Sequence, residues 1–332
     1  MPIARLANLL LLLPLLAPHW TAAQPTMDRA LAIQCLQHTD YGLRYLRLQQ
    51  SEDGSWGGSV ALTALAIHAF LRSYQGYGEA DGAFITRPVR YLLGHARPDG
   101  AITAAGDADA VRETALALRA LKATGNPQHA PVVDRAMAYL VAAQADEADG
   151  IAPDDPAYGG IGAGPGSADL VTHFHAAEAL HEAGLDPAHP LWERAARFSG
   201  RQLDAGPGEH REASADYAIL GTLLYAGADR TDPRMRAAWD RIAAGHDPAA
   251  LAVVEAVEPF LTQGLFAAAM AAYGENLITA PDGTTHPWRE DVATALLQHY
   301  RPDGSWGDEG ADRLLPTARA VGVLNRVAHS LR

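Results

Sequence analysis

Apolar positions fall into two kinds of stretch that alternate along the chain. In the first kind they recur on one side with arginines between them, as in YGLRYLRLQQ at 41–50 and from Arg234-Met235-Arg236 through Trp239-Asp240-Arg241. The second kind, such as Ser59–Leu71 and Ala213–Ala226, is apolar nearly all round. Both have the 3.6-residue period of a helix, and a helix apolar on every side is buried on every side. The spacing predicts first helices over 38–50, 86–96, 131–144, 190–203, 232–245 and 287–300. Their partners are predicted over 59–75, 109–124, 168–184, 213–227, 258–273 and 314–330. Pro88, Pro131, Pro190, Pro233 and Pro287 stand near the starts of first helices, while Gly125, Gly184, Gly227 and Gly274 end second ones, the positions each residue tolerates best. Turns stand at Asp53-Gly54, Asp99-Gly100, Asp149-Gly150 and Asp303-Gly304, since glycine takes positive φ and the aspartate bonds its own backbone. Hairpins repeating every ~50 residues form an array. An open solenoid needs polar end caps, whereas here the first and last repeats carry the same DGSWG. The expected fold is an all-α, closed (α/α)6 toroid of six hairpins, with second helices inside and first helices outside.

Composition narrows the chemistry. Among 332 residues, 26 are basic and 39 acidic, a net charge of -13 with no basic run, which excludes a nucleic-acid partner. The single cysteine, Cys35, excludes an intrachain disulfide framework and a cysteine-rich zinc site. Residues 1–23 read as a secretory signal peptide: Arg5, an apolar stretch Leu9–Leu16, then Thr21-Ala22-Ala23, with cleavage after Ala23. That stretch is far short of the roughly 20 residues that span a bilayer, so no stable membrane span is expected. The mature chain, 24–332, is expected to be one toroid domain, secreted or periplasmic.

Gln50 through Trp56, with DGSWG at its end, resembles the QW repeat of squalene–hopene cyclases and prenyltransferase β-subunits. The last repeat keeps Trp306 but has Tyr300 where the glutamine belongs, and the middle repeats keep fragments such as Gln144 and Gln202. DPAYGGIG at 155–162, ADLVTHFHAAEAL at 168–180, QGLF at 263–266 and HPWREDVATALLQHYRPDGSWGD at 286–308 are similar to exported bacterial squalene-cyclase-like proteins. The resemblance covers roughly residues 28–330. It implies tryptophans that tie neighbouring hairpins together, and a terpene-cyclase-like isomerase that protonates a polyprenyl or triterpenoid alkene with a carboxylic acid.

The family's acid motif, DxDD before Thr-Ala, is not intact. Aligned on Thr114-Ala115, its positions hold Ala110, Val111, Arg112 and Glu113; slid upstream, it meets Asp107-Ala108-Asp109-Ala110. Asp107 and Asp109 also suit a helix cap. In a ring, the N-terminal ends of inner helices face one mouth and their free N–H groups favour anions there. Side chains at those ends are therefore the candidates: Asp109, Glu113, Asp169 and His173 for catalysis, and Asp107, Thr114, Thr172, Asp216, Tyr217, Gln263 and Phe266 for substrate binding.

Against catalysis stands the thin aromatic lining, 7% of the chain, because carbocations need aromatic faces. The fifth inner helix, Tyr/His-rich in similar sequences, reads Gly264-Leu265-Phe266-Ala267-Ala268-Ala269-Met270. No metal site or cofactor is expected. His173 and His175 point about 200° apart on a helix, and His175, Glu178 and Glu182 share a face that suits a polar seam. The zinc of prenyltransferase β-subunits needs a cysteine, and Cys35 precedes the first repeat. Gly159–Gly164 reads as a flexible lid. Two other functions stay open: a non-catalytic toroid binding an apolar, isoprenoid-like small molecule or a protein partner, and a carbohydrate-active (α/α)6 enzyme using Glu113 and Asp169.

Overall fold

The alternation of half-apolar and fully apolar stretches becomes an alternation of outer and inner helices. A computed structural model describes residues 27–104, 109–164, 166–204, 213–308 and 312–328. The signal-peptide segment 1–23 and the candidate Asp107 lie outside the described residues. The outer helices are α1 (Arg29–Leu48), α3 (Ala83–Gly94), α5 (Ala130–Ala142), α7 (Leu191–Asp204), α9 (Pro233–Gly245) and α11 (Trp288–Leu297). The inner ones are α2 (Val60–Leu71), α4 (Ala110–Ala123), α6 (Leu170–Ala183), α8 (Ala213–Tyr225), α10 (Leu261–Tyr273) and α12 (Leu314–Ala328).

Each inner helix packs on the next, and α12 packs back onto α2. The ring is closed. Asn325 in α12 crosses the closing seam, its Nδ2 donating to the Ala69 carbonyl of α2 at 2.8 Å. On the outside, α1 lies chiefly against α12, so among the described residues the first helix is seated on the last. The fold is the expected toroid, helical but for one small hairpin, with one apolar core running from Met27 to Val327.

Two elements differ from expectation. Helix α1 starts at Arg29 rather than at 38, because the Asp28 carboxylate accepts from the Ala30 and Leu31 N–H groups and caps it there. A small hairpin also appears. Strand β1 (Leu277–Thr279) pairs antiparallel with β2 (Thr285–Pro287) around an Asp282-Gly283 turn.

The turns between outer and inner helices share one fastening. The N–H of Trp56 donates to Thr63 Oγ1 at 3.1 Å, that of Ile102 to Thr114 Oγ1 at 2.9 Å, and that of Trp306 to Thr317 Oγ1 at 3.0 Å. In the third hairpin the N–H of Ile161 donates to His173 Nδ1 at 3.1 Å. A buried acceptor in the first turns of each of these inner helices thus holds the loop before it. The tryptophans add a second tie: Trp56 Nε1 donates to Leu46 O at 2.7 Å and Trp306 Nε1 to Leu296 O at 2.9 Å.

The glutamines join one hairpin to the next. Gln50 Nε2 donates to Gly54 O and to Phe84 O of α3, each at 3.1 Å. Phe84 O is available because Pro88, four residues on and inside α3, has no N–H to give it. Gln144 Nε2 reaches Gly159 O and Leu191 O, also at 3.1 Å. The third turn therefore sits at Gly159-Gly160-Ile161 and not at Asp149-Gly150. This corrects the lid expectation: residues 159–162 are buried, and Gly159 N–H is bonded to Ala145 O at 2.8 Å.

Candidate active site

Five inner helices, α2, α4, α6, α10 and α12, enclose a cavity of about 470 Å³ at the ring centre, within the range of ligand pockets, about 300–1,000 Å³. Its middle is apolar, walled by Leu62, Leu65, Leu116, Leu265 and Val323. Among the described residues only Phe174 and Phe260 give it phenyl rings. Phe260 holds its place before α10 with φ 60, a left-handed conformation that a bulky residue adopts only under constraint.

The end formed by the helix N-termini is charged. Glu258 receives Arg112 Nη1 at 3.0 Å and is paired with Arg319 as well. Burial alone would raise the Glu258 carboxyl, but Arg319 and Arg112 outweigh it and hold it below its ordinary value. Asp109 is exposed, with Arg112 at 3.9 Å. Glu113 is different: it is buried, 9% exposed, and its partner is the Thr103 hydroxyl, which donates to Oε2. Among the described residues it is the cavity-lining buried carboxylate with no arginine against it.

The opposite end is a buried ion network. Arg119 Nη1 lies 2.7 Å from Glu178 Oε2, while its Nε and Nη2 grip Glu182 at 3.1 and 3.0 Å. Arg326 Nη2 reaches the other Glu178 oxygen at 2.9 Å, and Tyr225 donates to it at 3.3 Å. Burial works against the Glu178 charge, yet the two arginines overcome it and keep the carboxyl well below its usual range. His68 and His175 face the same network; burial lowers both, so they are neutral at pH 7. Glu178 is therefore an anion and no proton donor.

The candidates chosen from the sequence separate cleanly. Asp109 and Glu113 line the cavity; Asp109 also occupies the N-cap position of α4, without a side-chain cap bond. The others do not line it. Thr114 and His173 are the buried loop fasteners described above, and His173, pushed down to about 4 by burial, is neutral. Asp169 caps α6 by accepting from Val171 and Thr172 N–H, which also accounts for the Thr172 backbone. It does not face Glu113 across the cavity, so the carboxylate pair of a glycosidase is not formed there. Asp216 lies 3.9 Å from Arg241 of α9. Gln263 is buried, donating to Leu251 O at 2.7 Å and Val253 O at 2.9 Å. Tyr217 and Phe266 pack on each other at 5.0 Å, with Phe266 against Trp288 and His246 on the outer side. These residues stand off the cavity because the N-terminal turns of an inner helix have two sides, and the side facing the loop carries polar residues too.

No protein-family model matches the chain, and no curated protein matches it. Solved structures do. A ligand-free variant of the type II terpene cyclase MstE from Scytonema superposes with a TM-score of 0.58 at 15% identity, covering 92% of this chain and 99% of that one. The fold is that of the type II terpene cyclases. A variant of MstE holding geranylgeranyl dihydroxybenzoate, its substrate, gives 0.56 at 16% identity over 92% and 100% of the two chains. A protein from Actinoplanes gives 0.55 at 18% identity over 91% and 100%. Among the described residues, no helix is long and apolar enough to cross a membrane.

Proposed function

We propose that the chain is an exported, terpene-cyclase-like isomerase that takes a polyprenyl-type molecule into the ring cavity, with Glu113 as the proton donor. The observation that carries this reading is Glu113 itself. It faces the cavity, is buried, and has no arginine paired with it among the described residues. A protonated Glu113 would add its proton to a terminal alkene. The carbocation would pass along the chain beneath Phe174 and Phe260, whose faces attract it. A proton lost at the end leaves an isomer of the substrate. The Scytonema neighbour, which binds a geranylgeranyl substrate, supports an isoprenoid-sized occupant.

Binding without turnover is the second reading, favoured by the two phenylalanines standing alone as aromatic faces among the described lining residues. The test incubates purified protein with squalene, geranylgeraniol and farnesol. Products are read by chromatographic retention and fragmentation, because an isomer has no mass change. Glu113→Gln is expected to reduce turnover at least ~100-fold while lipid still binds, and Asp109→Asn to leave it nearly unchanged. Stoichiometric lipid binding with no isomer formed would leave only the second reading. No binding of any of the three would overturn both.

A further inference from the structure

Away from the cavity, three side chains distant in sequence meet on the outer layer. His246 follows the last residue of α9, His286 lies in β2, and Asp291 stands in the first turn of α11. One ligand atom from each lies within 4.8 Å of the others. His246 Nε2 is 2.9 Å from Asp291 Oδ2, and His286 Nδ1 is 3.9 Å from the same oxygen. We propose that His246, His286 and Asp291 form a divalent transition-metal site, with zinc as its metal.

The geometry supports this in three ways. Tetrahedral zinc holds nitrogen and oxygen ligands at about 2.0–2.2 Å, which puts ligand atoms about 3.3 Å from each other. The two separations from Asp291, 2.9 and 3.9 Å, bracket that value, and the third lies within 4.8 Å, so side-chain shifts of about an ångström would seat the ion. Next, 3.9 Å is too long for a hydrogen bond between His286 and Asp291; an ion between them would give this pair a direct function. Finally, the His246 side chain is fully buried and its Nδ1 has no hydrogen-bond partner. Its Nε2, which faces Asp291 at 2.9 Å, would be the ligating atom, the ring proton passing to Nδ1 when a metal binds. Imidazoles with one carboxylate suit zinc and not magnesium or calcium, which prefer oxygen ligands. The His286 side chain is 21% exposed, which gives the ion an entry path and leaves room for a water. Such an ion would fasten the end of α9, the β-hairpin and the start of α11 to one another.

The test uses the full chain, stripped with chelator and dialysed against Zn2+ alone. One zinc per chain is expected by elemental analysis, and Co2+ in its place should give the intense visible bands of a tetrahedral site. Saturating zinc should raise the melting temperature by about 5 °C. His286→Ala, at a partly exposed position, is expected to retain the wild-type helical dichroism. It should weaken zinc by at least about 100-fold, beyond the 10–100-fold that loss of an outer-sphere partner brings. Asp291→Asn should abolish the cobalt bands. Less than one zinc per chain, or zinc uptake unchanged in a folded His286→Ala protein, would overturn the site.

Discussion

At residue 173 the chain uses histidine where the corresponding turns use Thr63, Thr114 and Thr317. Each accepts the N–H at the corresponding position of its own turn, but only the histidine titrates. Its folded value is about 4 against an ordinary 6.5. Between those values the unfolded chain binds a proton that the folded chain refuses. The contribution is therefore fully present above pH 6.5 and is lost as the pH falls towards 4, a change of about 3 kcal/mol. His173→Thr should keep the fastening and flatten this dependence. Between pH 7 and pH 5 the wild-type urea midpoint should fall relative to that of the variant, and parallel pH curves would refute the assignment. At this scale the sequence was informative where helix register alone decided the outcome, as for Asp109 and Glu113. It could not show the anion at Glu178, whose partner Arg326 is 148 positions away. Nor could it bring His246, His286 and Asp291 together, since no single helix holds them.

The helix-turn element has its own requirement, set by backbone approach. Gly54, Gly100, Gly159 and Gly304 all have positive φ, and a Cβ on each would strike a neighbouring outer helix, at 2.5 Å from Arg87, 2.3 Å from Arg135, 2.1 Å from Arg194 and 2.7 Å from Tyr41. Gly150 also has positive φ, yet nothing lies within 4 Å of its Cβ position. Gly159→Ala should therefore cost about 2–4 kcal/mol and Gly150→Ala about 1 kcal/mol, the strain of φ without the collision. Urea denaturation distinguishes them; equal losses would contradict the placement of the third turn. Three of the four Asp-Gly signals read from the sequence mark these turns. The fourth misleads because a 3-10 turn at Glu147–Asp149 precedes the true one, and Asp-Gly favours any tight turn regardless of what packs on it.

For the whole molecule, closure decides how it comes apart. An open array can lose its end repeats first, but here the ends are each other's neighbours: α12 lies on α2 and α1 on α12. Hydrogen exchange under increasing urea should show α2, α12 and α6 opening in one step. Earlier opening of α12 with α6 still protected would mean that the seam is weak. The closed ring was legible from the shared DGSWG of the two terminal repeats, while the seam bond from Asn325 to Ala69 was not.

The same seam sets a schedule for synthesis. Helix α1 leaves the ribosome well before its main docking surface, α12, is made. Until then the face that α12 covers has no native partner and must stay in solution or be shielded by a chaperone. Native contacts spanning nearly the whole chain slow folding, because loop closure must precede the contacts that stabilise it. Ring closure thus waits for α12, and a chain stalled before it would leave both flanks of the seam exposed and prone to aggregate.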